Sequence, residues 1–156
     1  MLDCPRSALH EVNQSWGEWL SGLRPWEWFA TLTFKPPQEG IYDRRGIAYV
    51  RRAVQEFQGQ ALAGCRPVPV FGEMRWVDGV WAIEKHKNGS PHVHGLLAAR
   101  GFQAGLGRRL DMVDWSWEHS GMARVEAVRD LGAAFYVSKY IMKGGPECLI
   151  LNVGKR

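Results

Sequence analysis

The stretch Val80-Trp81-Ala82-Ile83-Glu84-Lys85-His86-Lys87-Asn88-Gly89-Ser90-Pro91-His92-Val93-His94-Gly95-Leu96-Leu97-Ala98-Ala99 decides the architecture. Residues 80–86 and 92–99 are apolar or β-branched at most positions, and Lys87-Asn88-Gly89 is a turn signal between them. The segment therefore reads as an antiparallel hairpin. His92 and His94, two positions apart on a strand, point to one face. The turn decides whether Glu84 joins them. A two-residue Asn88-Gly89 turn pairs 87 with 90 and sets Glu84 opposite Val93, on the wrong face. A three-residue loop, with Gly89 in the left-handed conformation, pairs 86 with 90 and sets Glu84 opposite His92. The odd loop is the expected one, because it brings both imidazoles and the carboxylate together.

Working outward, Val68 to Trp76 reads as a strand, and Asp78-Gly79 as a turn leading into the hairpin. Before the meander, Leu9, Val12, Trp16, Trp19/Leu20 and Leu23 recur at helical spacing, ended by Gly22 and Pro25. Trp26 to Phe34 is a strand stopped by Pro36-Pro37. Ile47, Val50, Val54 and Phe57 form the apolar stripe of a helix over 43–60, with Arg44, Arg45, Arg51 and Arg52 on its solvated faces. After the meander, Leu106, Leu110, Val113 and Trp117 mark a helix, and 122–128 alternates as a strand. Asp130 caps a last helix, Leu131 to Lys143, ended by Gly144-Gly145-Pro146. The tail from Cys148 reads as a short strand or a frayed end. The order α-β-α-β-β-β-α-β-α, with helices on one face, is that of an α+β sandwich with a mostly antiparallel sheet of about five strands.

The 156 residues are one domain's worth, with residues 1–25 as an N-terminal helical extension and 144–156 as a tail. A hydrophobic share of 46% against 23% charged describes a globular chain, not a disordered one. A net charge of +4 is a mild lean toward polyanions. Arg outnumbers Lys 14 to 6 and there are 8 Trp, a combination suited to phosphate contacts and base stacking. Most of the tryptophans read as core or hairpin packing, Trp26 and Trp28 sharing one strand face. The scattered Cys4, Cys65 and Cys148 form no disulfide framework. With no signal-peptide core and no membrane-length apolar run, a cytoplasmic protein without membrane contact is expected.

Two His and one carboxylate with open positions suit Mn²⁺ or Mg²⁺, with a phosphate oxygen as a further ligand. Structural zinc needs four closed ligands that are not evident. His86, on the same face as Glu84, could be a fourth ligand, but reads better as a group behind the ligands or an exposed side chain. The last helix carries Phe135-Tyr136-Val137-Ser138-Lys139-Tyr140-Ile141-Met142-Lys143. At about 100° per residue, Tyr136, Lys139, Tyr140 and Lys143 share one stripe. Alone, that stripe is an ordinary amphipathic boundary with snorkelling lysines. Beside a His₂Glu ion it becomes a phosphoryl-transfer site. A phenol with a pKa of ~10 is a poor nucleophile until a metal-bound phosphate and a lysine favour its attack.

These residues resemble the HUH endonuclease superfamily of Rep-type replication initiators. Phe29-Ala30-Thr31-Leu32-Thr33-Phe34 is similar to its first-strand motif, His92-Val93-His94 to its His-hydrophobic-His motif, and Tyr136-Val137-Ser138-Lys139 to its Y-x-x-K motif. Glu84 stands at the third-ligand position. The resemblance implies a ferredoxin-like, RRM-like sheet and Mn²⁺ or Mg²⁺ dependence. It also implies nicking and joining of single-stranded or hairpin DNA through a 5′-phosphotyrosine. The motif order disfavours relaxases. Tyr136 and Tyr140 further resemble the paired nucleophiles of two-tyrosine phage initiators. No Walker motif occurs, so a host helicase and replication machinery are the expected partners, or the chain is the nuclease part of something longer.

The expected activity is initiation of rolling-circle replication of a plasmid or phage. A single-tyrosine transposase is the nearest alternative, and a non-catalytic single-stranded nucleic-acid-binding module the alternative from another class. Arg100, Arg108, Arg109 and Lys143 are the expected phosphate contacts. Trp115 and Trp117, ~200° apart on their expected helix, offer one exposed ring for base stacking.

Overall fold

Six strands form one antiparallel sheet in the computed structural model, which describes residues 6–34, 46–64, 76–85, 90–100, 116–117, 121–144 and 149–153. In chain order the elements are α1 (Arg6–Leu23), β1 (Trp28–Phe34), α2 (Gly46–Gly64), β2 (Trp76–Lys85), β3 (Pro91–Arg100), β4 (Ser116–Trp117), β5 (Gly121–Ala127), α3 (Gly132–Gly144) and β6 (Leu149–Asn152). The spatial order is β4-β5-β1-β3-β2-β6. The four longer strands make its body, β4 and β6 its borders. Their architecture is the expected α+β sandwich.

Period-two alternation sorts the side chains between two faces. On β1, Trp28, Ala30, Leu32 and Phe34 are buried while Phe29, Thr31 and Thr33 are intermediate. The first set joins Val77, Trp81, Ile83, Val93, Leu97, Ala123 and Val125 beneath Val50, Ala53, Val54 and Phe57 of α2. Each fully buried Leu or Val in such a core contributes ~1.5–3 kcal/mol. The opposite face carries a second core: Val80, Ala82 and Leu96 of the sheet, Leu20 of α1, and Ala134, Val137, Tyr140 and Ile141 of α3. Helices thus cover both faces of the sheet, not one as expected. The α1 stripe, which reads as an extension of the domain, finds its partner in α3, where Ser138 Oγ donates to Asn13 Oδ1 at 2.7 Å.

The hairpin register is the odd one. Glu84 pairs with His92, Ile83 with Val93 and Ala82 with His94. Gly95 sits opposite Trp81, whose indole lies where a Cβ on Gly95 would be.

Three further expectations fail for reasons of tertiary structure. Asp78-Gly79 is not a turn but the middle of β2, paired with Ala98 and Leu97. Asp78 is fully buried against the Arg24 guanidinium, 2.5 Å away, and a Cβ on Gly79 would meet Gln58 Oε1 and Trp81 Nε1 at 2.6 Å. Turn chemistry here serves a buried ion pair and a close approach. Trp26 and Trp28 do not share a face: Trp28 lies under α2, while Trp26 precedes β1 and packs in the α1–α3 core, its Nε1 donating to the Leu20 carbonyl. Ser116–Trp117 is strand, hydrogen-bonded to β5, where a helix was expected. The remainder of that expected helix, residues 68–75 of the first expected meander strand, and the loop 86–89 lie outside the described residues. Cys148 and residues 154–156 of the tail do too, while Leu149–Asn152 pairs with β2 as β6.

Candidate metal and tyrosine site

The face covered by α1 and α3 also carries the polar side chains of the motifs. On central β3, His92 and His94 alternate with buried Val93. β1 sets Thr33 opposite His92 and Thr31 opposite His94. On the other flank, β2 sets Glu84 opposite His92 and Ala82 opposite His94. The imidazole centroids are 4.5 Å apart. Each Nδ1 lies by a threonine hydroxyl, His94 with Thr31 Oγ1 at 3.4 Å and His92 with Thr33 Oγ1 at 3.2 Å. The other ring nitrogen of His94, Nε2, lies 3.8 Å from Glu84 Oε2.

α3 lies over this face. It begins where the Gly132 amide donates to Asp130 Oδ1 at 2.8 Å, the cap read from sequence. Ala134, Val137 and Ile141 pack it down. Two residues one turn apart then reach the histidines. Tyr140 is buried, 8% exposed, and stacks on His94 with centroids 4.2 Å apart and planes 25° apart. Tyr136 is 43% exposed and stands edge-on to His94 at 5.4 Å and to Phe29 at 5.6 Å. The Tyr140 hydroxyl donates to the Tyr136 hydroxyl at 2.7 Å. Burial pushes the Tyr140 phenol well above its usual range, and the Tyr136 hydroxyl and the Glu84 charge push the same way.

Of the two lysines on the helix, Lys143 reaches inward. Its Nζ donates to Glu84 Oε1 at 3.1 Å and lies 5.1 Å from the Tyr140 ring centroid. Lys139, one turn earlier, is exposed. The structure thus brings together Glu84, His92, His94, Tyr136, Tyr140 and Lys143. Arg100 closes β3 opposite Trp76, and Trp117 lies in β4 opposite Gly121. His86, Arg108, Arg109 and Trp115 lie outside the described residues. Thr31, Thr33 and Phe29 are site residues that sequence reasoning missed as individuals. Their signal was present, as the second register of the alternating first-strand motif.

The donor set has the chemistry of a divalent oxygen- and nitrogen-ligand site. Two imidazoles on one strand face a carboxylate on the next, with Glu84 Oε2 turned toward His94. As they stand, no three His, Cys, Asp or Glu side chains among the described residues are gathered into a cluster that could hold an ion. Lys143 holds Glu84 Oε1, and Oε2, on the His94 side, is the oxygen an ion would meet. These nitrogen and oxygen donors are compatible with Mn²⁺ or Mg²⁺. Among the described residues no helix is long and apolar enough to cross a membrane.

The family model described as replication-associated protein ORF2 matches residues 27–145, from just before β1 to just past α3. No match was found among curated proteins, and none among solved structures. The matched span takes in both threonines of β1, the hairpin with Glu84, His92 and His94, and the whole tyrosine helix.

Proposed function

Because the chain belongs to the replication-associated protein ORF2 family, we propose that it initiates rolling-circle replication of a plasmid or phage by nicking single-stranded or hairpin DNA through a covalent tyrosine–DNA intermediate. One observation carries this reading. α3 lays a half-exposed tyrosine, Tyr136, over the sheet face that bears His92, His94 and Glu84.

Tyr136 is the nucleophile. Its Oη loses its proton to solvent as it bonds to the phosphorus of the scissile phosphate. The bond from phosphorus to the 3′ oxygen breaks, and that oxygen leaves as the 3′-hydroxyl once it takes up a proton. The 5′-phosphate stays esterified to Tyr136, so a later 3′-hydroxyl can reverse the exchange and join the strand. Mn²⁺ or Mg²⁺ held by His92, His94 and Glu84 would supply Lewis acidity toward a phosphate oxygen. Tyr140 keeps its proton and donates it in a hydrogen bond to Tyr136 Oη, a bond that strengthens as the acceptor becomes anionic. In this reading Tyr140, buried and stacked on His94, acts by positioning Tyr136. Lys139, exposed on the same helix, meets the incoming phosphate. Lys143 balances Glu84 until the site fills. In this reading the protein acts in the cytoplasm with a host helicase and replication machinery.

The test is incubation with labelled single-stranded and hairpin oligonucleotides plus Mn²⁺, followed by a denaturing gel. A slow-migrating protein–DNA adduct is expected, lost with a chelator and lost in Tyr136→Phe. An adduct that survives Tyr136→Phe and disappears in Tyr140→Phe would move the nucleophile to Tyr140. Undiminished cleavage by His92→Ala would end the metal-dependent mechanism. Binding without cleavage, indifferent to chelator, would make the chain a binding module.

A further inference from the structure

The first-strand motif has no role in the chemistry above, yet it sets Phe29 and two threonines on the site face at successive positions of one register. Thr31 and Thr33 are each the cross-strand partner of one motif histidine. Each hydroxyl lies within hydrogen-bonding distance of that histidine's Nδ1, at 3.4 and 3.2 Å. Cross-strand pairing fixes both contacts at once, because β1 and β3 share one register. The flank away from the threonines is where Glu84 stands, and His94 Nε2 is the ring nitrogen near its carboxylate. A neutral imidazole has one protonated and one lone-pair nitrogen, and its neighbours decide which is which. A ring free to flip or change tautomer would at times offer Glu84 and any ion an N–H in place of a lone pair.

We propose that Thr31 and Thr33 are positioning residues that accept hydrogen bonds from Nδ1–H of His94 and His92, so that both Nε2 lone pairs are held ready on the Glu84 side. The paired threonines of the first strand are then the part of the site that sets imidazole orientation. Phe29, two residues earlier on the same register, extends the same support by stacking on His94 with centroids 5.9 Å apart. The consequence for metal affinity rests on the nuclease reading above. The consequence for the tautomer does not.

Two measurements test it, both on the full chain. Long-range ¹H–¹⁵N correlation spectra of the metal-free protein, at a pH of ~8 or above where imidazoles are neutral, report each tautomer. Nδ1-protonated rings are expected for both histidines. Mn²⁺ titration calorimetry reports affinity. The double variant Thr31→Val, Thr33→Val keeps shape and β-propensity but lacks both hydroxyls, and is expected to bind Mn²⁺ ~10–100-fold more weakly. Thr31→Ser, Thr33→Ser is expected to restore the affinity. Valine variants with wild-type affinity and wild-type tautomers would overturn the proposal. So would a wild-type spectrum with Nε2-protonated rings, which decides the matter even if the valine variant does not fold. If the wild-type chain takes up no Mn²⁺, the metal-dependent reading falls and the spectra alone judge the threonines.

Discussion

Tyr140 and Tyr136 share one hydrogen bond at the oxygen proposed to react, so the smallest change available at the site is removal of a single hydroxyl. Tyr140→Phe keeps the ring that stacks on His94 and deletes only the donor to Tyr136 Oη. A hydrogen bond of this kind is worth ~0.5–1.5 kcal/mol, which at its upper end is about tenfold in rate. The variant is expected to form the DNA adduct still, up to about tenfold more slowly, in single-turnover nicking assays. The same hydroxyl carries a pH signature. Burial raises its folded pKa above the unfolded value of ~10, so the native state keeps a proton that the unfolded chain releases. The stability associated with this group is complete below pH ~10 and is lost as pH rises beyond it. Urea midpoints compared at neutral and strongly alkaline pH should fall more steeply in the wild type than in Tyr140→Phe.

At the scale of elements, α3 holds the tyrosines in place through its cap, its apolar face and its tie to α1. Asp130→Ala removes the acceptor of the Gly132 amide and is expected to cost ~1 kcal/mol, read as a lower urea midpoint at unchanged m-value. Periods of two and 3.6 make the site elements legible in the chain itself. The Glu84–His92 register follows from a loop length, and the shared stripe of Tyr136, Tyr140 and Lys143 from 100° per residue. What stays illegible is set by partners distant in the chain. Asp78-Gly79 looks like a turn until Arg24, 54 residues earlier, neutralises the aspartate inside the sheet. The apolar stripe of α1 has no direction until Asn13 meets Ser138, 125 residues later. Thr31 and Thr33 read as strand-forming residues, because β-branching and a hydrogen-bonding hydroxyl are the same side chain seen from two scales. Lys143 reads as a DNA contact, because its carboxylate partner lies on another element.

For the molecule as a whole, two covered sheet faces mean two electrostatic environments with different tasks. α2 shields one face with an apolar core and turns Arg51 and Arg52 outward, both exposed. α3 brings Lys139 and Lys143 to the opposite face, beside the tyrosines. A net charge of +4 does not say which cations would meet a polyanion; the layered fold divides the candidates between two faces. Under the proposed nicking reaction, single-stranded DNA that reaches Tyr136 would lie on the α3 side, with the sheet and its core between it and α2. Each phosphate neutralised by a protein cation contributes about −0.7 to the slope of log Kobs against log salt for a single strand. Lys139→Gln is therefore expected to make that slope shallower by ~0.7, measured by fluorescence anisotropy with a labelled oligonucleotide across a salt series. Lys143→Gln should do the same once the ammonium leaves Glu84 for a phosphate. The pair Arg51→Gln and Arg52→Gln removes the same kind of charge from the far layer and is expected to leave the slope unchanged. Equal slopes for the lysine variants and the wild type, or a loss on the α2 side, would place the strand on the other face of the sheet and away from the tyrosines.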